Sequence, residues 1–271
     1  LQCVSSAEID AVVVATADDT HHGIVAACIA RGSYVLCEKP LTTSAKQSMQ
    51  LAEAERCHGR RIVQLGYMRR YDSGYRRTYD ALRSGRIGEP VMISQRHRNP
   101  LAINDFDVRK LIVNSASHEI DLFRWLTREE ITEVSATAKA SADKSALTVL
   151  LTLKSQSGIL GVVELSRGPG LHYDIGCDVL AGRGTLNLAC SEPTADPGRG
   201  SWIERFDDAY EAQDADWLAA VRAESITGPS LYDGYAANAV AEAALCALDE
   251  GGGRPVHQTR ASILGCREGA T

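Results

Sequence analysis

The sequence has no apolar run that approaches the roughly 20 residues of a membrane span. It also has no excess of positive charge, since 29 Lys and Arg residues stand against 35 Asp and Glu residues and give a formal net charge of -6. An acidic chain has no general electrostatic attraction for nucleic acid or for an anionic membrane surface. We therefore expect neither a membrane nor a nucleic acid as a partner.

The cysteines and histidines lack the spacings that hold metals or mark redox pairs. None of the eight cysteines forms a Cys-x-x-Cys pair, and the seven histidines show no metal-ligand spacing with them. Cys28 and Cys246 lie in apolar helical patterns, and Cys37 and Cys177 lie in strand patterns, as buried free thiols in a reducing compartment do. Residues 1–10 mix apolar and charged side chains, unlike a signal peptide. We expect a cytoplasmic protein without a metal.

The first part of the chain has the pattern of a βαβ unit. Two short apolar runs, residues 11–16 and 35–37, flank a helical pattern that follows Thr20-His21-His22, and such runs predict buried parallel strands. Ligands of open α/β sheets bind at the carboxyl ends of the strands, and Glu38-Lys39-Pro40 stands directly after the second run. Lys39 is therefore a candidate for chemistry on a bound cofactor, although a single lysine is more often a solvated surface residue.

From Val91 onward the pattern becomes rich in strands. Residues 91–98, 131–136, 147–153, 159–165 and 173–179 are strand-like, residues 182–184 predict a hairpin turn, and helices are expected near 206–223 and 233–249. We predict an α/β chain in which residues 1–88 form a partial Rossmann-like doubly wound domain and residues 89–271 form an α+β domain with a large open antiparallel sheet. One face of such a sheet needs a partner, which predicts a homo-oligomer, a dimer or tetramer, that pairs through that face.

Four segments occur in an informative order: residues 38–40 (EKP), 66–72 (GYMRRYD), 97–100 (HRNP) and 118–121 (HEID). Together they resemble the glucose–fructose oxidoreductase/inositol dehydrogenase (Gfo/Idh/MocA) family, and within it the inositol 2-dehydrogenases, over nearly the whole chain. The resemblance implies an oxidoreductase that uses NAD or NADP and transfers a hydride between nicotinamide and a secondary hydroxyl of a polyol, cyclitol or sugar.

The resemblance also implies roles for individual residues. Lys39 hydrogen-bonds the reacting hydroxyl, and His118 is the general acid/base, for which an imidazole is suited because it titrates near working pH. Taken alone, His97 and Asn99 would more often belong to an exposed strand edge, and His118 would more often be a satisfied helix histidine. By resemblance the catalytic residues are Lys39, His118 and Asn114; the cofactor-binding residues are Thr16, His21, Glu38, Lys39 and Met68; and the substrate-binding residues are Lys39, Arg69, His97, Asn99, Asn114, His118 and Tyr173.

The sequence departs from the family pattern in two places. The family begins with a strand, a Gly-x-Gly-x-x-Gly turn that cradles the cofactor pyrophosphate, and a helix, and nothing of that kind precedes Ala11. We expect the sequence to be partial, the alternative being a truncated protein that binds dinucleotide poorly. Further along, the family has an aspartate four residues before the histidine, where this chain has Asn114, which keeps the shape but lacks the charge.

Two other functions are compatible with parts of the pattern. Asn114 and the missing glycine turn favour a catalytically weak sugar- or cyclitol-binding relative that acts as a sensor or regulatory subunit. Lys39 and His118 oppose that interpretation, because a pure binder needs no acid/base pair. An oligomeric scaffold without any ligand is disfavoured by the polar residues at positions 69, 97 and 99.

Overall fold

The structure, a computed structural model, describes residues 8–100, 107–188 and 202–258 together with Val4 and Ser6. The described residues divide into two compact units. The first unit takes those within 1–67 and 212–239 and also residues 257 and 258, and the second unit takes those within 68–211 and 240–256.

The first unit contains a three-stranded parallel sheet with connecting helices, as the βαβ pattern predicts. Its elements are β1 (Ala11–Val14), α1 (His21–Arg31), β2 (Tyr34–Cys37), α2 (Ala45–His58) and β3 (Val63–Leu65), with a 3-10 turn at Asp18–Thr20 and the strand order β1-β2-β3. All four residues of β2 are buried, which explains its unbroken apolar run. Helices α1 and α2 both end at a glycine with φ of +80°, Gly32 and Gly59, a conformation that other residues rarely adopt.

The second unit is built around a seven-stranded sheet. Its helical elements are a 3-10 turn at Met68–Tyr71, α3 (Ser73–Arg83), α4 (Val108–Lys110), a π-helical turn at Leu111–Ser115 and α5 (Ala116–Thr127). Its strands are β4 (Pro90–Asn99), β5 (Ile131–Ala140), β6 (Leu147–Ser155), β7 (Leu160–Arg167), β8 (Asp174–Ala181), β9 (Gly184–Leu188) and β10 (Arg254–Pro255), in the order β10-β5-β6-β7-β4-β8-β9.

The predicted large antiparallel sheet is confirmed, with one parallel pair inside it. Strands β4 and β7 run parallel, whereas every other neighbouring pair in this sheet is antiparallel. After β4 the chain passes through α5 and then through the β5–β6 hairpin, so β7 enters beside β4 in the same direction. The tight connection between β8 and β9 is the predicted hairpin turn at residues 182–184.

Two long helices, α6 (Trp202–Arg222) and α7 (Leu231–Glu250), contribute residues to both units. The change of unit comes after Glu211 in α6 and after Ala239 in α7. The compact units therefore do not follow the predicted division at residue 88, because α3 belongs to the second unit and parts of α6 and α7 belong to the first. The functional domains 1–88 and 89–271 stay a prediction.

The sheet of the second unit has one packed face and one open face. Along β6 the odd-numbered residues from 147 to 155 are buried and the residues between them are exposed, as expected for a half-buried strand. On the packed side, a Cβ at Gly161 would lie within 2.8 Å of the ring of Phe123 in α5. The open face exposes large apolar side chains on three neighbouring or nearby strands, namely Leu150, Leu160 and Leu180.

The cysteine pattern is partly as expected. Cys28, Cys37 and Cys177 are buried free thiols, whereas Cys246 is exposed, since it lies on a face of α7 that does not pack. Cys3, Cys190 and Cys266 lie outside the described residues. Among the helices that the structure describes, none has both the length and the hydropathy that crossing a bilayer requires.

Candidate active site

In the first unit, three of the predicted cofactor-binding residues follow the carboxyl ends of the strands. The register pairs Val14 with Cys37, so β1 and β2 end side by side. Thr16 follows β1 and is exposed, while Glu38 and Lys39 follow β2 and are half-buried. The Thr16 hydroxyl lies 2.6 Å from the Thr20 hydroxyl. This is the edge at which open parallel sheets bind ligands.

His21 connects the two loops that leave these strands. Its ring is buried, with Nδ1 2.8 Å from the backbone oxygen of Pro40 and Nε2 3.1 Å from the backbone oxygen of Thr16. Both ring nitrogens thus contact the loops, one beside Lys39 and one at Thr16 itself. This geometry makes His21 a support for the two loops, and direct contact between His21 and a cofactor stays a prediction.

Glu38 lies against the end of β3. Its Oε2 accepts a hydrogen bond of 3.3 Å from the backbone N–H of Lys39, and a Cβ at Gly66 would lie only 2.8 Å from its Oε1. Gly66 therefore allows the carboxyl group to approach the backbone closely. Burial raises the pKa of Glu38, and the neighbouring Lys39 offsets part of that rise. The peptide bond between Lys39 and Pro40 is cis.

In the second unit, Arg69, His97 and Glu119 form a buried ionic cluster. Arg69 comes from the 3-10 turn before α3, His97 from β4 and Glu119 from α5. The Arg69 guanidinium is ion-paired with Glu119 Oε1, and His97 Nδ1 lies 3.0 Å from the same oxygen. Arg69 is 2% exposed and Glu119 is 0% exposed. A predicted substrate-binding residue, Arg69, is thus engaged by a neighbouring carboxylate.

The charges in this cluster stabilise one another. Burial raises the pKa of Glu119, but Arg69 and His97 lower it more, and the net result is a pKa of about 2. Burial alone lowers the pKa of Arg69, but Glu119 reverses the shift and raises it above the usual arginine value. Both groups are therefore ionised throughout the physiological range, because each is the counter-ion of the other.

Two more of the predicted substrate residues, Asn99 and Tyr173, lie near His97 on or beside the packed face of the sheet. In β4 the alternation places His97 and Asn99 on the buried side with Gln95, and β4 lies between β7 and β8 inside the sheet. The exposed-edge explanation for His97 and Asn99 is therefore wrong. Tyr173, just before β8, approaches the His97 ring edge-on, with the ring centroids 6.5 Å apart. Met68, predicted to bind cofactor, is buried in the same 3-10 turn as Arg69.

Asn114 and His118 lie on either side of a helix irregularity. The π-helical turn Leu111–Ser115 leads directly into α5, so Asn114 is in the wider turn and His118 is in the regular helix. The Ser117 hydroxyl donates a hydrogen bond of 2.7 Å to the backbone oxygen of Asn114. A single π turn within a helix is frequent at functional sites. The sequence pattern did not predict this π-helical turn.

Sequence reasoning also missed the acidic residues that organise the cluster. Glu119 and Asp121 lie two residues apart on α5. Glu119 is ion-paired with Arg69, and Asp121 is ion-paired with the adjacent Arg70. Gln95 Nε2 donates a hydrogen bond of 2.9 Å to the backbone oxygen of Glu119. The sequence did contain a signal for these pairs: two adjacent arginines in the motif at residues 66–72 and two acidic residues in the motif at residues 118–121.

The strand ends of the first unit have donors that suit a nicotinamide dinucleotide. The Thr16 hydroxyl and the Lys39 ammonium can serve ribose hydroxyls and the carboxamide, and the parallel strand ends provide the usual binding edge. Within the described ranges, no group of three or more His, Cys, Asp or Glu side chains is arranged to hold a metal ion. The Thr16 hydroxyl and the Lys39 ammonium are donors that fit an organic cofactor rich in hydroxyl and carbonyl acceptors.

Comparisons with known proteins cover nearly the whole chain. The model "Oxidoreductase family, NAD-binding Rossmann fold" matches residues 1–67, and the model "GFO/IDH/MocA C-terminal domain" matches residues 75–187. Inositol 2-dehydrogenase 1 of Saccharopolyspora erythraea is 37% identical over 260 residues, which cover 92% of this chain and 77% of that protein. The inositol 2-dehydrogenase of Acidothermus cellulolyticus is 38% identical over 254 residues, covering 89% and 74%.

A solved structure gives the same picture of the fold. The myo-inositol dehydrogenase of Lactobacillus casei, in complex with NAD(H) and myo-inositol, matches with a TM-score of 0.86 at 26% identity, over 95% of this chain and 80% of that chain. The two family models and these relatives therefore agree with the motifs that the sequence contains.

Proposed function

Because the chain belongs to the Gfo/Idh/MocA family of oxidoreductases, we propose that it transfers a hydride between the nicotinamide of NAD and a secondary hydroxyl of a cyclitol, as an inositol 2-dehydrogenase does. The observation that carries this proposal is the identity of 37% over 92% of the chain to an inositol 2-dehydrogenase. The retained Lys39 and His118 support it, since they are the residue types that the reaction needs. NAD is favoured over NADP because the matching Rossmann model is NAD-binding.

Residues of this chain accept the hydroxyl proton and stabilise the negative charge that develops on the reacting oxygen. A bound dinucleotide would supply the acceptor for the hydride that leaves the carbinol carbon. His118 takes the hydroxyl proton as general base, a step that typically contributes about 10²–10⁴-fold in rate. Lys39 donates a hydrogen bond to the reacting oxygen and stabilises the alkoxide charge that develops there. Thr16 contacts the cofactor at the end of β1, and Met68 contributes apolar surface to it.

The second unit supplies the groups that hold the other hydroxyls of the ring. His97, Asn99 and Tyr173 are polar side chains close to one another on or beside the packed face of the sheet. Each buried hydroxyl of a polyol needs a hydrogen-bond partner, since an unsatisfied polar group costs about 1–3 kcal/mol. Asn114 orients the His118 ring in place of the family aspartate.

We expect the protein to act as a homo-oligomer, a dimer or tetramer that pairs through the open face of the sheet. Leu150, Leu160 and Leu180 are each more than 40% exposed on that face. Large apolar side chains exposed on an open sheet face suit a surface that a partner subunit would cover. The cytoplasmic location stays a prediction from the free cysteines. The relatives' names lend no support to a sensor or regulatory subunit.

The direct test is a turnover assay of the purified product of the complete gene. It is incubated with NAD or NADP and with a panel of myo-inositol, other cyclitols, pyranoses and short acyclic hydroxy acids, and the reduced nicotinamide is followed by absorbance. We expect turnover with NAD and a cyclitol, myo-inositol being the first to try. Turnover of acyclic hydroxy acids alone, with no cyclitol or pyranose accepted, would contradict the proposal.

A binding measurement separates this function from a scaffold without ligand. A ligand that binds only the folded state raises the melting temperature, by an amount that grows with its concentration above Kd. We expect NAD to stabilise the protein in a thermal-shift assay and NADP to stabilise it less. The absence of any shift with either dinucleotide, together with no turnover, would favour the scaffold.

A further inference from the structure

We propose that Glu119 is a positioning residue for substrate binding, which fixes His97 in the tautomer that carries its proton on Nδ1 and leaves Nε2 as a hydrogen-bond acceptor for a substrate hydroxyl. Arg69 contributes to this positioning as the counter-ion of Glu119, and it does not bind the substrate. The substrate part of this inference rests on the proposed function; the tautomer does not.

The distances at His97 decide which nitrogen holds the proton. Nδ1 lies 3.0 Å from Glu119 Oε1 and 3.4 Å from a guanidinium nitrogen of Arg69, a group that can only donate. A bare Nδ1 could accept from Arg69, but only at this longer distance, so the carboxylate is the closer partner. If Nδ1 were bare, its lone pair would face the lone pairs of an ionised carboxylate at 3.0 Å, which is repulsive. If Nδ1 carries the proton, the same distance is a charge-assisted hydrogen bond, which is about twice as strong as a neutral one. The ring therefore donates from Nδ1.

The carboxylate is held rigidly enough to impose this choice. Glu119 is fully buried and ion-paired with Arg69, whose guanidinium also stacks 5.5 Å from the centre of the Phe206 ring. Gln95 holds the backbone oxygen of the same residue. The arginine keeps the pKa of Glu119 low, so the acceptor remains an anion at any pH at which the enzyme works.

A fixed tautomer changes what His97 can do. With the proton on Nδ1, a neutral ring offers Nε2 only as an acceptor, which matches a hydroxyl that donates. In metal sites a carboxylate commonly orients a metal-binding histidine by a hydrogen bond of the same kind. Its effect is on binding of a hydroxyl that does not react, so loss of the arrangement should weaken substrate binding more than it slows the chemical step.

The chain contains a matched control for the variants. Removing one partner of a buried ion pair leaves the other charge uncompensated, whereas neutralising both is often tolerated. The test variant is therefore the double substitution Arg69→Met with Glu119→Gln. The control is Arg70→Met with Asp121→Asn, which neutralises the buried pair two residues further along α5. Melting temperatures of both variants show whether they are folded and comparably stable.

The first readout is the tautomer itself, measured in ¹⁵N-histidine-labelled protein by long-range ¹H–¹⁵N correlation, with His97→Gln used to assign the signal. We expect a protonated Nδ1 and a bare Nε2 at His97 in the parental protein and in the control, and a mixture or the opposite tautomer in the test variant. A parental ring with its proton on Nε2, or an unchanged tautomer in the folded test variant, overturns the proposal whatever the enzyme's activity. Because the parental spectrum needs only His97→Gln for its assignment, it can support or overturn the tautomer even if the test variant fails to fold.

The second readout is kinetic. Loss of one neutral hydrogen bond to the substrate should raise the KM for the polyol roughly three- to ten-fold, with kcat and the KM for NAD little changed. The same double substitution in a His97→Gln background should have no further effect, since coupled residues are not additive. Full additivity, or an equal KM rise in the control, would show that Glu119 does not act through His97. Absence of turnover in the parental protein contradicts the proposed function instead, and leaves the tautomer result standing.

Discussion

The pKa values of buried carboxyl groups are shifted in opposite directions in the two units. In the first unit, half-buried Glu38 and Glu55 have raised pKa values, and burial is the largest cause for each. In the second unit, Glu119 is more deeply buried than either, yet its pKa is lowered to about 2. Depth of burial alone would predict the reverse order. The difference is the direct partner. Glu119 is ion-paired with an arginine and contacts an imidazole, whereas Glu55 accepts its hydrogen bonds from backbone N–H groups, and Arg61 and His58 lower its pKa less than burial raises it.

This contrast separates two ways of organising a candidate site. The first unit holds the loops after its strands by contacts with backbone groups, such as the His21 ring between two backbone oxygens. The second unit holds His97 by a buried pair of full charges. A buried charge left without its partner costs several kcal/mol, more than the loss of an ordinary hydrogen bond. The same kind of substitution should therefore have different consequences in the two units.

The largest effects are expected from Lys39 in the first unit, the proposed alkoxide-stabilising group, and from His118 in the second unit, the proposed general base. Lys39→Ala and His118→Ala should each lower turnover by about 10²–10⁴-fold, because general acid–base and charge-stabilising groups contribute that much. Cofactor binding should change far less in both. The measurements are kcat with the best cyclitol and the Kd for NAD by calorimetric titration.

The matched control for Lys39 is Lys46→Ala, an exposed lysine at the start of α2, which should leave turnover unchanged. Near-parental turnover in either Lys39→Ala or His118→Ala would remove that residue from the mechanism. An equal loss in Lys46→Ala would mean that the lysine effect is not specific.

The second prediction concerns removal of the cation beside Glu119, which should raise the pKa of Glu119 as burial raises the pKa values of Glu38 and Glu55. Arg69→Met leaves Glu119 buried without its cation, which should cost about 3–5 kcal/mol of unfolding free energy at neutral pH. In the parental protein the folded pKa lies below the unfolded value of about 4.3, so the stabilisation from Glu119 is present above that value and is lost as the pH falls toward 2. In the variant the folded pKa should be raised, so that the contribution is present at low pH and lost as the pH rises.

The measurement is urea unfolding of the parental protein, Arg69→Met and Arg69→Met with Glu119→Gln between about pH 4 and 8, a range that spans the unfolded carboxyl value. The single variant should lose most stability at the alkaline end, and the added Glu119→Gln should restore part of it there. A loss that is the same at every pH would show that packing around Arg69, and not the charge of Glu119, determines the effect.

The sequence predicted much of the first unit, for reasons that are local. Buried parallel strands need continuous apolar runs, and the end of such a run is enough to predict that Lys39 follows a strand. The order of four short motifs singled out His97 and His118 as candidates, which no spacing argument alone would have separated from ordinary histidines, and their roles stay a prediction.

What the sequence did not predict depends on contacts between distant segments. Nothing local shows that Arg69 pairs with Glu119, fifty residues later, because a single sequence with many charges permits many pairings. The parallel direction of β4 and β7 was missed because alternation reports burial and not strand direction. The π turn before α5 was missed because one extra residue per turn leaves the composition unchanged.

The third prediction concerns the departure at Asn114. Asn114→Asp should raise the oxidation rate at neutral pH by roughly ten-fold, at the low end of acid–base effects, because a carboxylate near His118 favours the imidazolium formed when the hydroxyl proton is taken. Substrate KM should change little. Initial rates with saturating NAD compare the two forms, and Asn114→Ala shows what the side chain contributes without either group. No gain in the aspartate variant would mean that this site is built around asparagine.

The smallest expected effect comes from Glu55, whose Oε1 accepts hydrogen bonds of 2.9 and 2.8 Å from the backbone N–H groups of Ile62 and Val63. Glu55→Gln keeps an acceptor for both donors and removes a charge that burial disfavours. Since the folded pKa is raised, the protonated form contributes stability at low pH that is lost as the pH rises through that pKa. The glutamine variant avoids this loss, so it should equal or exceed the parental stability by up to about 1 kcal/mol at neutral pH.

Glu55→Ala is the control that separates the charge of Glu55 from its hydrogen bonds. It leaves two backbone N–H groups at the start of β3 without their acceptor, and each such group costs about 1–3 kcal/mol when it is buried. Urea unfolding of the three proteins at about pH 5 and pH 8, chosen on either side of neutrality, gives the comparison. We expect alanine to destabilise at both pH values and glutamine to gain on the parental protein as the pH rises. A glutamine variant that loses stability as the pH rises would show that Glu55 is held as an anion by a cation, as Glu119 is, and would end the contrast between the two units.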